Sequence, residues 1–157
     1  ILEDYTATDT DSDGDIDGPF AKGSNRIGIR LSGAGVYDGS INNIIGGSIT
    51  VEGNTSYGVL LENGLTGNVF TPGSITVFGD KSVGLDVKGD VSGNVRVGAV
   101  NVVGDGSSAV IVDANVTGGV NIGGAVSSTG YRYTTRPSTK AVITALDSDD
   151  LLQGGAG

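Results

Sequence analysis

The sequence predicts an all-β fold, a parallel β-helix with about 26 residues per turn and loop excursions, from three observations. First, a pattern of about 26 residues recurs three times between Tyr57 and Thr134. Second, each copy contains three short runs in which β-branched and small residues alternate, as they do in half-buried strands. Third, glycine, asparagine, aspartate and serine separate the runs, and these residues tolerate tight corners. Three strands and three corners per repeat describe one triangular turn, and such turns stack about 4.8 Å apart.

The repeat openings set the period. Three of them follow one another at the same spacing: Tyr57-Gly-Val-Leu-Leu, Val83-Gly-Leu-Asp-Val and Ala109-Val-Ile-Val-Asp. An earlier copy begins near Arg26, so 26–56 forms a longer turn of about 30 residues. We attribute the extra length to an insertion around Gly35-Val-Tyr-Asp-Gly39, which is either a bulging corner loop or a ligand-binding loop.

Stacked turns place equivalent residues in columns. Three apolar columns are predicted to face the core: Val59, Leu85 and Ile111; Val69, Val95 and Val120; and Ile75, Val100 and Val126. Asp113 aligns with Leu61, and a carboxylate does not enter a dry core unpaired. We therefore expect the third copy to slip so that Val112 takes that place, the alternative being that Asp113 lies on a corner. Asn68 and Asn94 are expected to stack as a structural amide ladder.

Composition restricts the chemistry of the 157 residues. The chain has no His and no Cys, which excludes Ser-His and Cys-His catalysis and ordinary zinc sites within it. The net charge of −9 is concentrated in residues 3–17, with seven acids, and 147–150, with three. The other eight acids nearly balance the nine basic residues, so no nucleic-acid partner is expected. No segment approaches the roughly 18 apolar residues of a membrane-spanning helix, so we expect no membrane span in this chain.

Residues 1–25 are predicted to form an N-terminal turn with an Asp-rich loop. Five aspartates alternate along the loop: Asp9, Asp11, Asp13, Asp15 and Asp17. Alternating carboxylates converge on one side of a tight turn, and Gly14 permits the bend, as in the first nine positions of a calcium loop. The twelfth position is Phe20 rather than the bidentate Glu of an EF-hand. We predict calcium as the ligand, with a solvated acidic loop as the alternative.

Carboxylates in the repeats are single and scattered. Asp86 with Asp113, and Asp80 with Asp105, fall at positions where adjacent turns could bring them together. Glycosidase chemistry needs two carboxylates about 5–10 Å apart in a cleft, and no sequence feature marks a cleft. We therefore predict no catalytic residue in this chain. A polysaccharide lyase or hydrolase, or a carbohydrate-binding β-helix, is the alternative function.

Residues 131–140 interrupt the repeat with a basic, aromatic segment, which is predicted to be an excursion along the outside of the rod. The alternative is a binding segment in which Tyr beside Arg stacks on sugars or anionic polymers. Residues 141–152 are predicted to form a short turn or helix. The chain thus divides into an N-terminal turn (1–25), β-helix repeats (26–134) and a C-terminal excursion that begins a further turn (135–157). These parts are expected to form one continuous solenoid, a fragment of a longer rod.

Three segments follow one another in an order that resembles the passenger regions of Gram-negative, sphingomonad-type autotransporters of type V secretion: Asp9 to Ala21, the Gly-Ser-Ile-Thr-Val turns at Gly47 and Gly73, and Thr129 to Gly155. The resemblance implies a right-handed parallel β-helix carried to the cell surface by an outer-membrane barrel outside this chain. It implies no catalytic residues. We expect an extracellular stalk, adhesive or filament-forming section. Expected partners are other copies stacked end to end, surface glycans or neighbouring cells.

Overall fold

A computed structural model of the chain describes residues 1–3, 21–43, 47–130 and 139–145. Within these ranges the fold is all-β apart from one short helix. The elements in chain order are β1 Ile27–Leu31, β2 Tyr37–Asp38, β3 Ile41–Asn42, β4 Ile49–Glu52, β5 Tyr57–Leu61, β6 Leu65–Thr66, β7 Val69–Thr71, β8 Ile75–Phe78, β9 Val83–Val87, β10 Asn94–Val97, β11 Val100–Val103, β12 Ser108–Val112, β13 Gly119–Ile122, β14 Val126–Thr129 and α1 Lys140–Ala145. The helix agrees with the short turn or helix predicted after residue 140.

The strands stack into three parallel sheets, each of which receives one strand from every turn. Their orders are β1-β5-β9-β12, β3-β7-β10-β13 and β4-β8-β11-β14, and β2 pairs with β6 beside them. All of these pairings are parallel. The chain is therefore a parallel β-solenoid of about four turns, which confirms the predicted fold class.

The first turn is longer than the others, but its extra residues enter at two places. Ile27 pairs with Tyr57, whereas Tyr37 pairs with Leu65 and Ile49 with Ile75. The number of residues that separate two register partners along the chain therefore falls twice within this turn. Two residues are thus added between β1 and β2, and two more between β3 and β4. The predicted insertion around Gly35–Gly39 is confirmed in part: two of the extra residues enter just before β2, which itself lies within that segment, whereas the other two enter after β3. Hydrogen bonding to β6 keeps β2 in the stack.

The third repeat slips by one residue, as predicted. Val110 pairs with Leu85 and Val112 with Val87, so β12 follows β9 at a spacing one residue shorter than that between β5 and β9. The placement of Ile111 in the core column is wrong, because Ile111 pairs with Asp86 and Val110 takes the core position. The slip originates at the preceding corner, where three residues (72–74) join β7 to β8 but two (98–99) join β10 to β11.

One apolar core runs along the solenoid axis. The columns Val69, Val95 and Val120, and Ile75, Val100 and Val126, pair in the predicted register. A side chain at Gly58 would not fit beside this core, because a Cβ there would lie 2.3 Å from Ile75 Cγ2. At the last described turn the core columns end in side chains that solvent reaches: Val112, Val120 and Val126 are 39%, 42% and 50% exposed.

Buried serines at one corner form a ladder of hydrogen bonds between successive turns. Ser56, Ser82 and Ser107 are 0%, 0% and 1% exposed. The Ser56 N–H donates to Ser82 Oγ and the Ser82 N–H to Ser107 Oγ, each at 3.0 Å. Each hydroxyl in turn donates to a backbone carbonyl, so the buried polar groups of the corner are paired across turns.

Candidate functional site

The outer side of the sheet β3-β7-β10-β13 carries a column of polar and aromatic side chains. Strands present successive side chains to opposite faces, and Val69 and Val95 take the core side. Their neighbours therefore point outward, and the register aligns them on four successive turns in the order Asn42, Phe70, Arg96, Asn121. The side chains of this column are exposed, except that Phe70 is half-buried.

A second column of amides runs beside the first. The backbone N–H of Asn94 donates to Asn68 Oδ1 at 2.8 Å, and Asn94 Nδ2 lies 3.4 Å from the same oxygen. The predicted Asn68–Asn94 ladder is confirmed. Gly119, the register partner of Asn94 on the next turn, has no side chain to continue the ladder, and a Cβ at the neighbouring Gly118 would lie 2.7 Å from Asn94 Oδ1.

The two columns enclose a shallow open cavity of about 630 Å³. Its lining is Asn42, Asn68, Val69, Phe70, Asn94, Arg96 and Asn121. We call its six polar and aromatic members (all but Val69) the amide–arginine face. Every group on the face comes from a strand or a strand end, so the stacked sheet fixes their spacing. Among the described residues, no carboxylate belongs to this lining.

Arg96 is oriented by an aromatic ring. Its guanidinium carbon lies 5.5 Å from the centroid of the Phe70 ring, within the range of a cation–π contact. Within the described ranges, the ion pairs join Arg26 to Glu3, Arg30 to Glu62 and Lys88 to Asp86, and none of them includes Arg96. The guanidinium of Arg96 thus presents its donors to solvent while the ring restricts its orientation.

This arrangement suits reversible binding of a hydroxyl-rich ligand. Asparagine amides both donate and accept hydrogen bonds, and guanidinium groups donate in a fixed fork. An aromatic ring adds an apolar surface with an electron-rich face. Among the described residues these features occur together along one shallow, open cavity, which an extended ligand can enter.

A second cluster surrounds Asp86 on a different sheet. Asp86 Oδ2 lies 3.2 Å from Lys88 Nζ, and the Asp86 side chain is only 3% exposed. Its Oδ1 is buried without a hydrogen-bond partner among the described residues. Burial raises the pKa of the Asp86 carboxyl, although its hydrogen bond with Lys88 opposes the shift. Because the carboxylate is buried, we assign it no reaction with an external substrate.

The other carboxylate pairs considered from the sequence do lie on adjacent turns. The Asp105 backbone N–H donates to Asp80 Oδ1 at 2.9 Å, which makes this pair part of a corner ladder. The charge of Asp113 contributes to the raised pKa of Asp86. The Asp113 backbone N–H donates to Val87 O at 2.9 Å, so Asp113 continues from β12 as the predicted slip requires.

The predicted calcium ligands are Asp9, Asp11, Asp13, Asp15 and Asp17, and all five lie outside the described residues. In the ranges that the structure describes, no group of three or more acidic side chains is placed to hold a metal ion. The calcium prediction therefore stays a prediction.

Sequence reasoning did not single out the amide–arginine face. The sequence does contain a pattern that identifies part of this face: Phe70 and Arg96 each follow a predicted core valine, and they stand one repeat apart. Reading the outward positions of each column, as well as the inward ones, finds the stacked pair. The flanking Asn42 and Asn121 are harder to find, because the spacing between turns changes at both positions.

In the described part of the chain, no helix is long and apolar enough to cross a membrane. Comparison of the chain with protein-family models, with curated protein sequences and with solved structures finds no match.

Proposed function

We propose that the chain is a section of an extracellular β-solenoid, of the autotransporter-passenger kind, that acts as a stalk and adheres to glycans through the amide–arginine face. The observation that carries the adhesive part is the stack of Arg96 on Phe70 with exposed amides on both sides. Sugars present hydroxyl groups that pair with amides and apolar ring faces that pack on aromatic side chains.

The stalk part of the proposal is supported by the continuity of the solenoid. Backbone pairing joins each turn to the next in all three sheets, and side-chain ladders reinforce the corners. Because equivalent positions recur about 4.8 Å apart along the axis, the fold presents its ligand groups as a rigid row. A row of this kind suits an extended polymer better than a small compact ligand.

Other copies of the chain are proposed as partners through end-to-end stacking. Among the described strands, β12, β13 and β14 form one end of the solenoid, and Val120 and Val126 there leave apolar surface exposed. Unpaired sheet edges with apolar side chains are templates for further pairing. Sedimentation velocity tests this proposal: wild type should associate with rising concentration and Val126→Lys should not. Sedimentation coefficients that are equal for wild type and Val126→Lys and independent of concentration would contradict end-to-end stacking.

Calcium binding by Asp9, Asp11, Asp13, Asp15 and Asp17 is also proposed. It rests on their alternate spacing and on the repulsion that five neighbouring carboxylates feel until a divalent cation neutralises them. Affinity in the weak range of extracellular modules would suit a cell-surface protein.

The adhesive function is tested with Phe70→Ala and the matched control Phe78→Ala. Both phenylalanines are half-buried on the outer side of the solenoid, but Phe78 belongs to the sheet β4-β8-β11-β14. Binding to a panel of immobilised polysaccharides is measured by biolayer interferometry. We expect wild type and Phe78→Ala to bind the same members of the panel and Phe70→Ala to bind them at least tenfold more weakly. Binding by none of the three, or equal binding by all, would refute the proposal.

A further inference from the structure

We propose that the amide–arginine face selects a linear glycan that carries carboxylate groups, laid along the solenoid axis with one carboxylate on Arg96. This inference rests on the proposed glycan-binding function and names its ligand class. It follows from the charge, the direction and the spacing of the groups on the face.

The positive charge of Arg96 favours an anionic group on the ligand. Arg26, Arg30 and Lys88 are neutralised by carboxylates within 3.2 Å, whereas no carboxylate in the described ranges pairs with Arg96. The planar guanidinium matches a carboxylate in a two-bond, fork-to-fork geometry. Its contact with the Phe70 ring restricts its rotation before a ligand arrives, so less conformational freedom is lost on binding.

The direction of the ligand follows from the register. Asn42, Phe70, Arg96 and Asn121 occupy four successive turns, so the column extends roughly 14 Å along the axis at about 4.8 Å per turn. Amides therefore lie on both sides of the cation along one line. A chain of sugar units placed on this line meets amide donors for its hydroxyls at the ends and a single cation between them.

The number of cations limits the ligand class. One arginine on the face is too little to hold a densely charged polymer such as a nucleic acid, whose binding depends on many Lys and Arg contacts. The described residues around Arg96 add amides rather than further charge. A polymer of hydroxyl-rich units with spaced carboxylates matches a face that has several amides and one guanidinium.

The experiment compares one polymer in two charge states. Partly methyl-esterified polygalacturonate, whose free carboxylates are spaced along the chain (the acid form), and fully methyl-esterified polygalacturonate (the ester) are titrated into wild type, Arg96→Gln and Arg30→Gln by isothermal calorimetry at low and moderate salt. Arg30 is the matched control, because it is an exposed arginine on the sheet β1-β5-β9-β12 that already pairs with Glu62 at 2.8 Å.

We expect wild type and Arg30→Gln to bind the acid form at least tenfold more tightly than the ester, with a preference that weakens as salt rises. Arg96→Gln should bind both forms at the level of the ester. If wild type binds acid and ester equally, the carboxylate inference is overturned while glycan binding stands. If neither form binds but Phe70-dependent binding of another glycan is found, only this inference fails. If no glycan binds at all, the proposed function fails with it.

Discussion

At Ser82 a single hydroxyl joins separate stretches of backbone. Its Oγ accepts the Ser56 N–H at 3.0 Å and donates to Gly53 O at 2.9 Å, in a site with no solvent exposure. Ser82→Ala leaves both backbone groups buried without a partner, which costs about 1–3 kcal/mol of unfolding free energy. Ser74→Ala is the control, because the Ser74 hydroxyl bonds to Ser48 Oγ on the exposed side. Denaturant titration should show a loss for Ser82→Ala several times that for Ser74→Ala, and equal losses would contradict the ladder's role.

Asp86 makes stability depend on pH in an unusual direction. Its carboxyl has a pKa raised chiefly by burial, so the folded protein holds the proton more tightly than the unfolded chain does. The stability contribution of this group is therefore present below its unfolded pKa and is lost as pH rises through the raised folded pKa. Asp86→Asn removes this loss, and its melting temperature should exceed that of wild type by a few degrees at pH 7.

The difference between Asp86→Asn and wild type should shrink as pH falls towards the ordinary aspartate range near 4. Lys88→Met is the companion variant, since it leaves the buried carboxylate without its cation and should lower the melting temperature at pH 7. A lower melting temperature for Asp86→Asn at pH 7 would show instead that the pair stabilises the fold as an ion pair.

At the scale of elements, one column offers two valines in different surroundings. Val95 in β10 and Val120 in β13 are register partners, but Val95 is 0% exposed and Val120 is 42% exposed. Val95→Ala removes buried methyl groups and leaves a cavity, so we expect a loss of roughly 2–3 kcal/mol in unfolding free energy. Val120→Ala should cost less than about 1 kcal/mol. Chemical denaturation of both variants measures this, and a reversed order would mean that the last turn is buried by another part of the molecule.

The elements also show what the sequence predicts well. A column such as Val69, Val95 and Val120 follows from period and alternation alone, because stacking repeats the same inward position on every turn. The slip to Val112 was predictable because a carboxylate at Asp113 is costly in a core. How the extra residues of the first turn divide between two corners was not predictable from the sequence, because additions at either corner give the whole turn the same length.

The candidate site was less accessible to sequence reasoning than the core. Outward positions carry no hydrophobic signal, so Arg96 and Phe70 become a pair only when the register is known. The burial of Asp86 is likewise invisible in sequence, because its position in β9 alternates outward from Leu85 and Val87. Burial of apolar side chains determines which residues point inward. The surroundings of an outward residue depend instead on which other segments of the chain pack against it.

At the scale of the whole molecule, the proposed calcium site concerns the stability of the entire rod. A ligand that binds only the folded form raises the melting temperature. We expect calcium to raise the melting temperature followed by circular dichroism, excess chelator to reverse the rise, and Asp11→Ala to abolish it. Asp38→Ala, an exposed aspartate of β2, serves as the control and should keep the response. Melting that ignores both calcium and chelator in wild type would refute the metal site.

Nuclear magnetic resonance shows directly whether a glycan lies along the amide–arginine face. The side-chain amide signals of Asn42, Asn68, Asn94 and Asn121, with the Arg96 Nε–H signal, are followed as a short oligosaccharide of the panel's tightest-binding polysaccharide is added to the ¹⁵N-labelled chain. We predict saturable shifts in these signals, while the side-chain amide signal of Asn101, on the sheet β4-β8-β11-β14, stays unchanged. Shifts that map to another surface, or no saturable shift up to millimolar ligand, would contradict this prediction.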